Sequence, residues 1–319
     1  VMVPALTELD RAVRPPWAEV PLAVRSAVEV ELAAPVAKAW GQVGGYTPGL
    51  ASRLALADGR KVFVKGLPAS HPTAGSYRLE GQVARRLPED VPSPRLLFTV
   101  DDEWIVLVFA DADGREPNLR PGSPDLAAVL AALNRLGRTL TPCPLPDVPS
   151  VLDDLGPLMQ GWSQLALAPH ADLDPWALRH LDSLIAIETA WQPWADGDTL
   201  LHNDLRPDNM IRRVSDGRVV VVDWSYPCRG PAWMDVVSLV PQLVLAGHPP
   251  ADAERLVLSR PALNQVPAWA VTGLAAAWAG YWQLNSRLPE PPGSIGLRDY
   301  QRKIARATRR WLVHRTHWS

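Results

Sequence analysis

The chain has 319 residues, 47% hydrophobic and 21% charged, with a formal net charge of −2. That length allows two lobes around substantial apolar cores, and the near-neutral charge argues against a general nucleic-acid binder. Its two cysteines, Cys143 and Cys228, offer neither a disulfide framework nor a metal-ligand spacing, and no apolar run reaches the roughly 18 residues of a membrane span. The expected setting is a reducing cytoplasm, with no secretory leader and no membrane partner. Oligomeric state is left open.

Residues 20–33 read as a short helix. From Trp40 the chain turns glycine-rich, with Gly41, Gly44, Gly45 and Gly49, and then becomes sheet. Leu50, Leu54 and Leu56 sit at even spacing, Asp58-Gly59 signals a hairpin, and Lys61 to Lys65 return as a strand. Glycines let backbone N–H groups approach phosphate oxygens without side-chain obstruction, so Gly44 and Gly45 are candidate nucleotide contacts. The alternative is a glycine-rich turn with no ligand. Lys65 ends its strand, and Glu80 lies in the helical segment Gly75 to Leu87, on the polar side of Tyr77, Val83 and Leu87. The two can pair, or each can face solvent. Leu96 to Val100 and Trp104 to Phe109 read as two more strands of a small antiparallel sheet, and the polar crossing from Ala110 to Gly114 reads as a lobe boundary, dividing residues 1–110 from 111–319.

Beyond it the periodicity becomes helical. Ser123 reads as a cap with Pro124 at the first helical position, followed by a stripe of Leu126, Val129, Leu130, Leu133 and Leu140. Asp174-Pro175 opens another helix, with Leu178, Leu181, Leu184 and Ile185 inward. Then comes His202-Asn203-Asp204-Leu205-Arg206-Pro207-Asp208-Asn209, followed by a strand, the turn Ser215-Asp216-Gly217, and the run Val219 to Val222 leading to Asp223. With a turn centred on Asp216, Asn209 would fall opposite Asp223 at roughly 5 Å. An amide oxygen and a carboxylate at that separation suit Mg²⁺, which prefers oxygen ligands and completes its shell with water and phosphates. Asp204, on the loop entering the hairpin, is placed to orient a hydroxyl and take its proton. His202 is read as a brace for that loop.

These residues resemble the catalytic loop H-x-D-x-x-x-x-N of protein-kinase-like enzymes, and Asp223-Trp224-Ser225 resembles the metal loop of the aminoglycoside phosphotransferase family. The resemblance spans Gly44 to Asp235. It implies an α+β, protein-kinase-like fold of two lobes: a small antiparallel sheet with a helix, then a larger, mainly helical lobe. It also implies transfer of phosphate from ATP or GTP, with Mg²⁺, to a hydroxyl of a small molecule, such as an antibiotic. A kinase of a sugar or amino alcohol, or a catalytically silent nucleotide-binding module, are the rival readings. Within the resemblance Lys65 touches the nucleotide phosphates and is held by Glu80, and the backbone near Phe109 to Asp111 meets the adenine, against a plain linker. Arg206 stands where protein kinases carry a lysine and would neutralise the γ-phosphate. Asp235 would support the catalytic loop, against a simple helix-start acid.

Residues 267–286 read as a long alanine-rich helix and 298–312 as a terminal amphipathic one. Of the 14 tryptophans, Trp162, Trp278 and Trp282 are pocket candidates, with core packing as the alternative. From Val240 onward the only acids are Asp252, Glu254, Glu290 and Asp299, whereas arginine and lysine crowd 287–315. If that basic helix lined the acceptor site it would disfavour a polycation; otherwise its basic face turns to solvent.

Overall fold

The computed structural model describes residues 12–167 and 173–319. Leu22–Leu32 (α1) leads into strands Val36–Gly41 (β1), Leu50–Leu56 (β2) and Lys61–Pro68 (β3), then helix Ala74–Arg86 (α2) and strands Leu96–Asp101 (β4) and Trp104–Ala110 (β5). The strands form one antiparallel sheet in the order β1-β2-β3-β5-β4. Alternation along the strands decides what each face buries. Val62, Val64, Val106 and Val108 join Val24, Val28 and Leu32 of α1 in one cluster. The residues between them, Leu67, Ile105, Leu107 and Phe109, join Ala74 and Tyr77 of α2 on the other side. Lys65 belongs to this second set, so its side chain points at α2.

After Ala110 the short strand Gly114–Arg115 (β6) pairs with a strand of the later hairpin. The helical part follows: Asp125–Thr139 (α3), Val151–Leu155 (α4), Gly161–Leu167 (α5), Pro175–Arg179 (α6) and Leu181–Ile187 (α7). Helix α3 starts one residue past Pro124, and the Asp125 N–H donates to the Ser123 hydroxyl. Asp174 caps α6 by accepting from the Trp176 N–H, but the expected single helix is broken at His180 into two short ones. Thr199–Leu201 (β7) enters the loop 202–209, Met210–Arg213 (β8) and Val219–Val221 (β9) form the hairpin, and Cys228–Gly230 (β10) pairs back onto β7. Trp233–Leu245 (α8), Pro250–Leu258 (α9), Ala268–Asn285 (α10) and Leu297–Thr316 (α11) complete the lobe. Among the described residues, no helix is long and apolar enough to cross a membrane.

Helix α10 is seated by a close crossing with α5. A Cβ on Gly161 would lie 2.2 Å from the Gly280 carbonyl carbon, a distance that backbone atoms cannot accommodate without moving apart. Gly161→Ala should therefore cost about 1–3 kcal/mol of stability, read as a lower midpoint in urea unfolding. An unchanged midpoint would show that the crossing has slack.

Candidate active site

The hairpin brings Asn209 and Asp223 to one cleft, by a register one residue away from the expected one. Met210 pairs with Val221 and Arg212 with Val219, the Arg213 N–H donates to Arg218 O, and the Val222 N–H donates to Asn209 O at 2.9 Å. The loop holds four residues, 214–217, with Gly217 at φ +67°, so Asn209 lies opposite Val222 rather than Asp223. Pairing stops there, and Asp223 itself takes φ +67°, a left-handed conformation that costs a non-glycine residue energy and turns the chain sharply.

The Asp223 carboxylate meets Lys65 Nζ at 3.0 Å, and Lys65 Nζ meets Glu80 at 2.6 Å. Glu80 is 2% exposed, so it does not lie on a solvated helix face. It sits one turn from Tyr77, on the face α2 presents to the sheet. Next to it Gly81 keeps the helix close to β5: a Cβ there would lie 3.0 Å from Leu107. Burial pushes the Glu80 carboxyl up, to about 7, against the pull of Lys65. For Asp223 burial is outweighed by Lys65 and Ser225, and its carboxyl is held well below the usual range. Ser225 Oγ donates to Asp223 Oδ1 at 2.6 Å. Sequence reasoning did not single out Ser225 as a site residue; a hydroxyl two residues past the metal-loop acid is the signal that could have found it.

The loop 202–209 is braced from below. Asp235, in the first turn of α8, accepts the backbone N–H of His202 at 2.7 Å and of Asn203 at 3.0 Å. His202 is fully buried with its ring edge-on to Trp224. Its Nδ1 faces the Asp204 N–H at 3.2 Å, which requires Nδ1 to accept and places the proton on Nε2, facing Val222 O at 2.9 Å. Both ring nitrogens are spent on structure. Asn203 takes φ +61°, which asparagine tolerates better than most residues, and its amide donates to Tyr226 O. Asp204 accepts from Asn209 Nδ2 at 2.9 Å, and Arg206 Nε stands 3.7 Å from its other oxygen. Burial pushes the Asp204 carboxyl up, opposed by Arg206.

Two cavities flank this loop. The larger, about 290 Å³, lies under the glycine-rich loop and is lined by Gly44, Gly45, Lys65, Phe109, Asn209 and Asp223. Asp111 lines it as well, although its carboxylate is held by Arg53 at 2.5 Å. The smaller, about 30 Å³, opens on the other side, with Asp204, Arg206, Trp278 and Trp282 in its wall. The Trp278 and Trp282 rings stack at 5.5 Å and 12°. Trp162 borders neither cavity: it is 2% exposed, and its indole N–H donates to Ala276 O, so it belongs to the core.

Of the two readings of the basic residues of α11, a wall of the acceptor site or a face turned to solvent, the exposure of these side chains agrees with the second. Arg302, Lys303, Arg306 and Arg310 are exposed, while Gln301, Ile304, Thr308 and Trp311 face inward. Arg309 pairs with Asp174 and Arg315 with Glu254.

The donor set suits a hard divalent cation. Among the described residues, Asn209 spends its Nδ2 on Asp204 and leaves Oδ1 without a hydrogen-bond partner, and Asp223 uses Oδ1 for Lys65 and Ser225 and leaves Oδ2. Among the described residues no group of three or more His, Cys, Asp or Glu side chains could hold a metal, so an ion here would depend on phosphate and water for the rest of its shell.

The model of the phosphotransferase enzyme family (APH) matches residues 51–281, from β2 to α10. The chain belongs to this family. It is accordingly a phosphotransferase acting on hydroxyl groups of small molecules. No curated protein matches the sequence. Among solved structures, choline kinase LicA from Streptococcus pneumoniae is 14% identical, with a TM-score of 0.61 over 91% of this chain and 97% of that one. An aminoglycoside phosphotransferase from Alicyclobacillus acidocaldarius is 15% identical, with a TM-score of 0.59 over 87% and 91%. Spectinomycin phosphotransferase APH(9)-Ia, in complex with ADP and spectinomycin, is 10% identical, with a TM-score of 0.59 over 92% and 97%. At these identities the likeness is one of fold, and the fold of this phosphotransferase is the protein-kinase-like one: antiparallel sheet, then helical lobe.

Proposed function

We propose that this phosphotransferase moves the γ-phosphoryl group of ATP or GTP onto a hydroxyl of a small acceptor that carries little positive charge, an antibiotic of the nucleoside or neutral glycosidic kind being the class favoured. The sheet-bearing part through Ala110 would supply the nucleotide side, and the chain from Asp111 the catalytic and acceptor side. Gly44 offers its backbone N–H to the phosphates, and Gly45 would join it on releasing Asp208, which its N–H reaches at 3.3 Å; Lys65 offers a cation fixed between Glu80 and Asp223, and the backbone from Phe109 to Asp111 an edge for the base. Asn209 and Asp223 would hold Mg²⁺; bound there, it would neutralise phosphate charge and fix the orientation of the phosphates. Asp204 accepts the acceptor's hydroxyl proton as the new bond from that oxygen to the γ-phosphorus forms. The bond to the bridging oxygen breaks, and its electron pair leaves on the nucleoside diphosphate. Arg206 faces the charge developing on the transferring group.

The observation that carries the choice of acceptor is the lining of the smaller cavity. Asp204 is its only acid among the described residues, and that charge already faces Arg206. The acids from Val240 onward are committed elsewhere: Asp252 to Arg255, Glu254 to Arg315, Glu290 to the N–H of Leu297, and Asp299 to Lys303. A polycation would find one counter-charge there, whereas the stacked indoles offer a flat apolar wall. Scarcity of carboxylates, and not repulsion from α11, is what favours the low-charge acceptor. Release of ADP or GDP should be followed with neutral nucleoside and glycosidic antibiotics, sugars, amino alcohols and kanamycin-like polycations. The expected result is the highest kcat/KM among the low-charge compounds; a clearly higher value for the polycations would overturn the assignment.

A further inference from the structure

Arg206 is clamped by residues from two other parts of the chain. Its guanidinium carbon lies 5.3 Å from the centroid of the Tyr46 ring and 5.4 Å from that of Tyr300, and the two rings are 5.6 Å from each other. Tyr46 belongs to the glycine-rich loop, Arg206 to the catalytic loop and Tyr300 to α11. Arg206 Nε and Nη2 donate to Asp208, at 3.1 and 3.2 Å, and the Gly45 N–H reaches the same carboxylate at 3.3 Å. The Tyr46 carbonyl accepts from Ser294 Oγ at 2.7 Å, and the Tyr300 hydroxyl accepts from Gln242 Nε2 at 2.9 Å. Tyr300 also meets Trp282 of the acceptor wall at 6.3 Å. Rings in contact thus run from the acceptor wall to the loop over the nucleotide cleft.

A long arginine side chain has many rotamers, and the π faces of two tyrosines select one by cation–π attraction and contact while leaving donors unspent. Arg206 Nη1 makes no hydrogen bond among the described residues, which leaves it as the nitrogen able to meet the transferring group. We propose that Tyr46 and Tyr300 are positioning residues for Arg206, and that Tyr46 ties the placement of this guanidinium to the seating of the glycine-rich loop. The inference rests on the reading of Arg206 as the cation that faces the transferring phosphoryl group.

The test is a double-mutant cycle on the full chain, read as MgATP hydrolysis, with water in place of the acceptor, alongside a titration with MgADP. In this reaction water's oxygen bonds to the γ-phosphorus, the bridging oxygen leaves on ADP, and water's proton is released. Tyr46→Leu should lower kcat by about 5- to 30-fold with MgADP affinity held within about threefold, and Tyr46→Phe, which keeps the ring, should restore most of it. Tyr300→Leu should behave alike from a separate element. In the Arg206→Gln background each tyrosine change should add less than about twofold, since the residue it positions is gone. The clamp is overturned if the effects multiply, if Tyr46→Phe is as poor as Tyr46→Leu, if Tyr46→Leu keeps full kcat, or if MgADP affinity falls in step with kcat. A full-rate Arg206→Gln enzyme would instead remove the reading of Arg206 itself, a distinct failure seen in that single variant.

Discussion

Asp204→Asn is expected to lower kcat by roughly 10²- to 10⁴-fold, the usual range for removal of a positioned general base, while MgADP affinity stays close to that of the parent enzyme. The replacement is nearly isosteric, and its amide oxygen can still accept from Asn209 Nδ2, which now donates to Asp204 at 2.9 Å. Loop geometry is therefore kept and basicity lost. Asp204 lines the smaller cavity, proposed for the acceptor, and not the larger one proposed for the nucleotide, which is why affinity for the nucleotide should survive. The pH profile carries the same signature. Burial raises the Asp204 carboxyl above its ordinary value of 3.8. The base works only when deprotonated, so kcat should fall as pH drops through a value above that of an ordinary aspartate. Arg206→Gln removes the partner that pulls this carboxyl down most, so the acid limb should move to higher pH. If calorimetry showed MgADP affinity collapsing together with turnover in Asp204→Asn, the residue would be a nucleotide ligand and not the base.

Much of this site could be read from residue order because it depends on short-range rules. Alternation along β3 decides that Lys65 shares a face with Leu67 and Phe63, and strand, turn and strand after Asn209 bring Asp223 back to it. The misses have particular causes. Ser215-Asp216-Gly217 can close a loop of three residues or, with Val214, of four, and that one residue shifted the register. The left-handed backbone at Asp223 could not be read in advance, because aspartate, though it enters that region more readily than most side chains, is usually found outside it. Glu80 looks solvated in a helix read alone; only the lysine arriving across from β3 makes its burial tolerable. On α10 the apolar residues run almost all round, so periodicity could not say which tryptophans face a cavity. On α11 it could: Gln301, Ile304, Thr308 and Trp311 repeat at three to four residues, and the basic residues fall between them, toward solvent. Contacts such as those of Tyr46 with Arg206 and Tyr300 join positions far apart in the chain and leave no trace in local pattern.

Asp223→Asn should raise the Mg²⁺ concentration needed for half-maximal turnover by at least the roughly 10- to 100-fold that follows loss of an outer-shell partner, because a full negative charge leaves the proposed inner shell. The same carboxylate holds Lys65 at 3.0 Å. Without it Lys65 keeps Glu80 at 2.6 Å as its carboxylate partner, so the ammonium remains buried and paired, and the cleft should not collapse. That separates two effects of the substitution. Weak Mg²⁺ binding is repaired by adding metal, whereas a displaced Lys65 is not, so saturating Mg²⁺ should recover a measurable part of the lost rate. Asn209→Ala should act in the same direction and more weakly, since it removes a neutral ligand; it also frees Asp204 from the amide that orients it, so its maximal rate should fall even at high metal. The measurement is initial rate against free Mg²⁺ at fixed, saturating nucleotide for the three enzymes. An Asp223→Asn enzyme with the parent's Mg²⁺ dependence would mean that the ion is held elsewhere, and the pairing of Asn209 with Asp223 as its ligands would have to be given up.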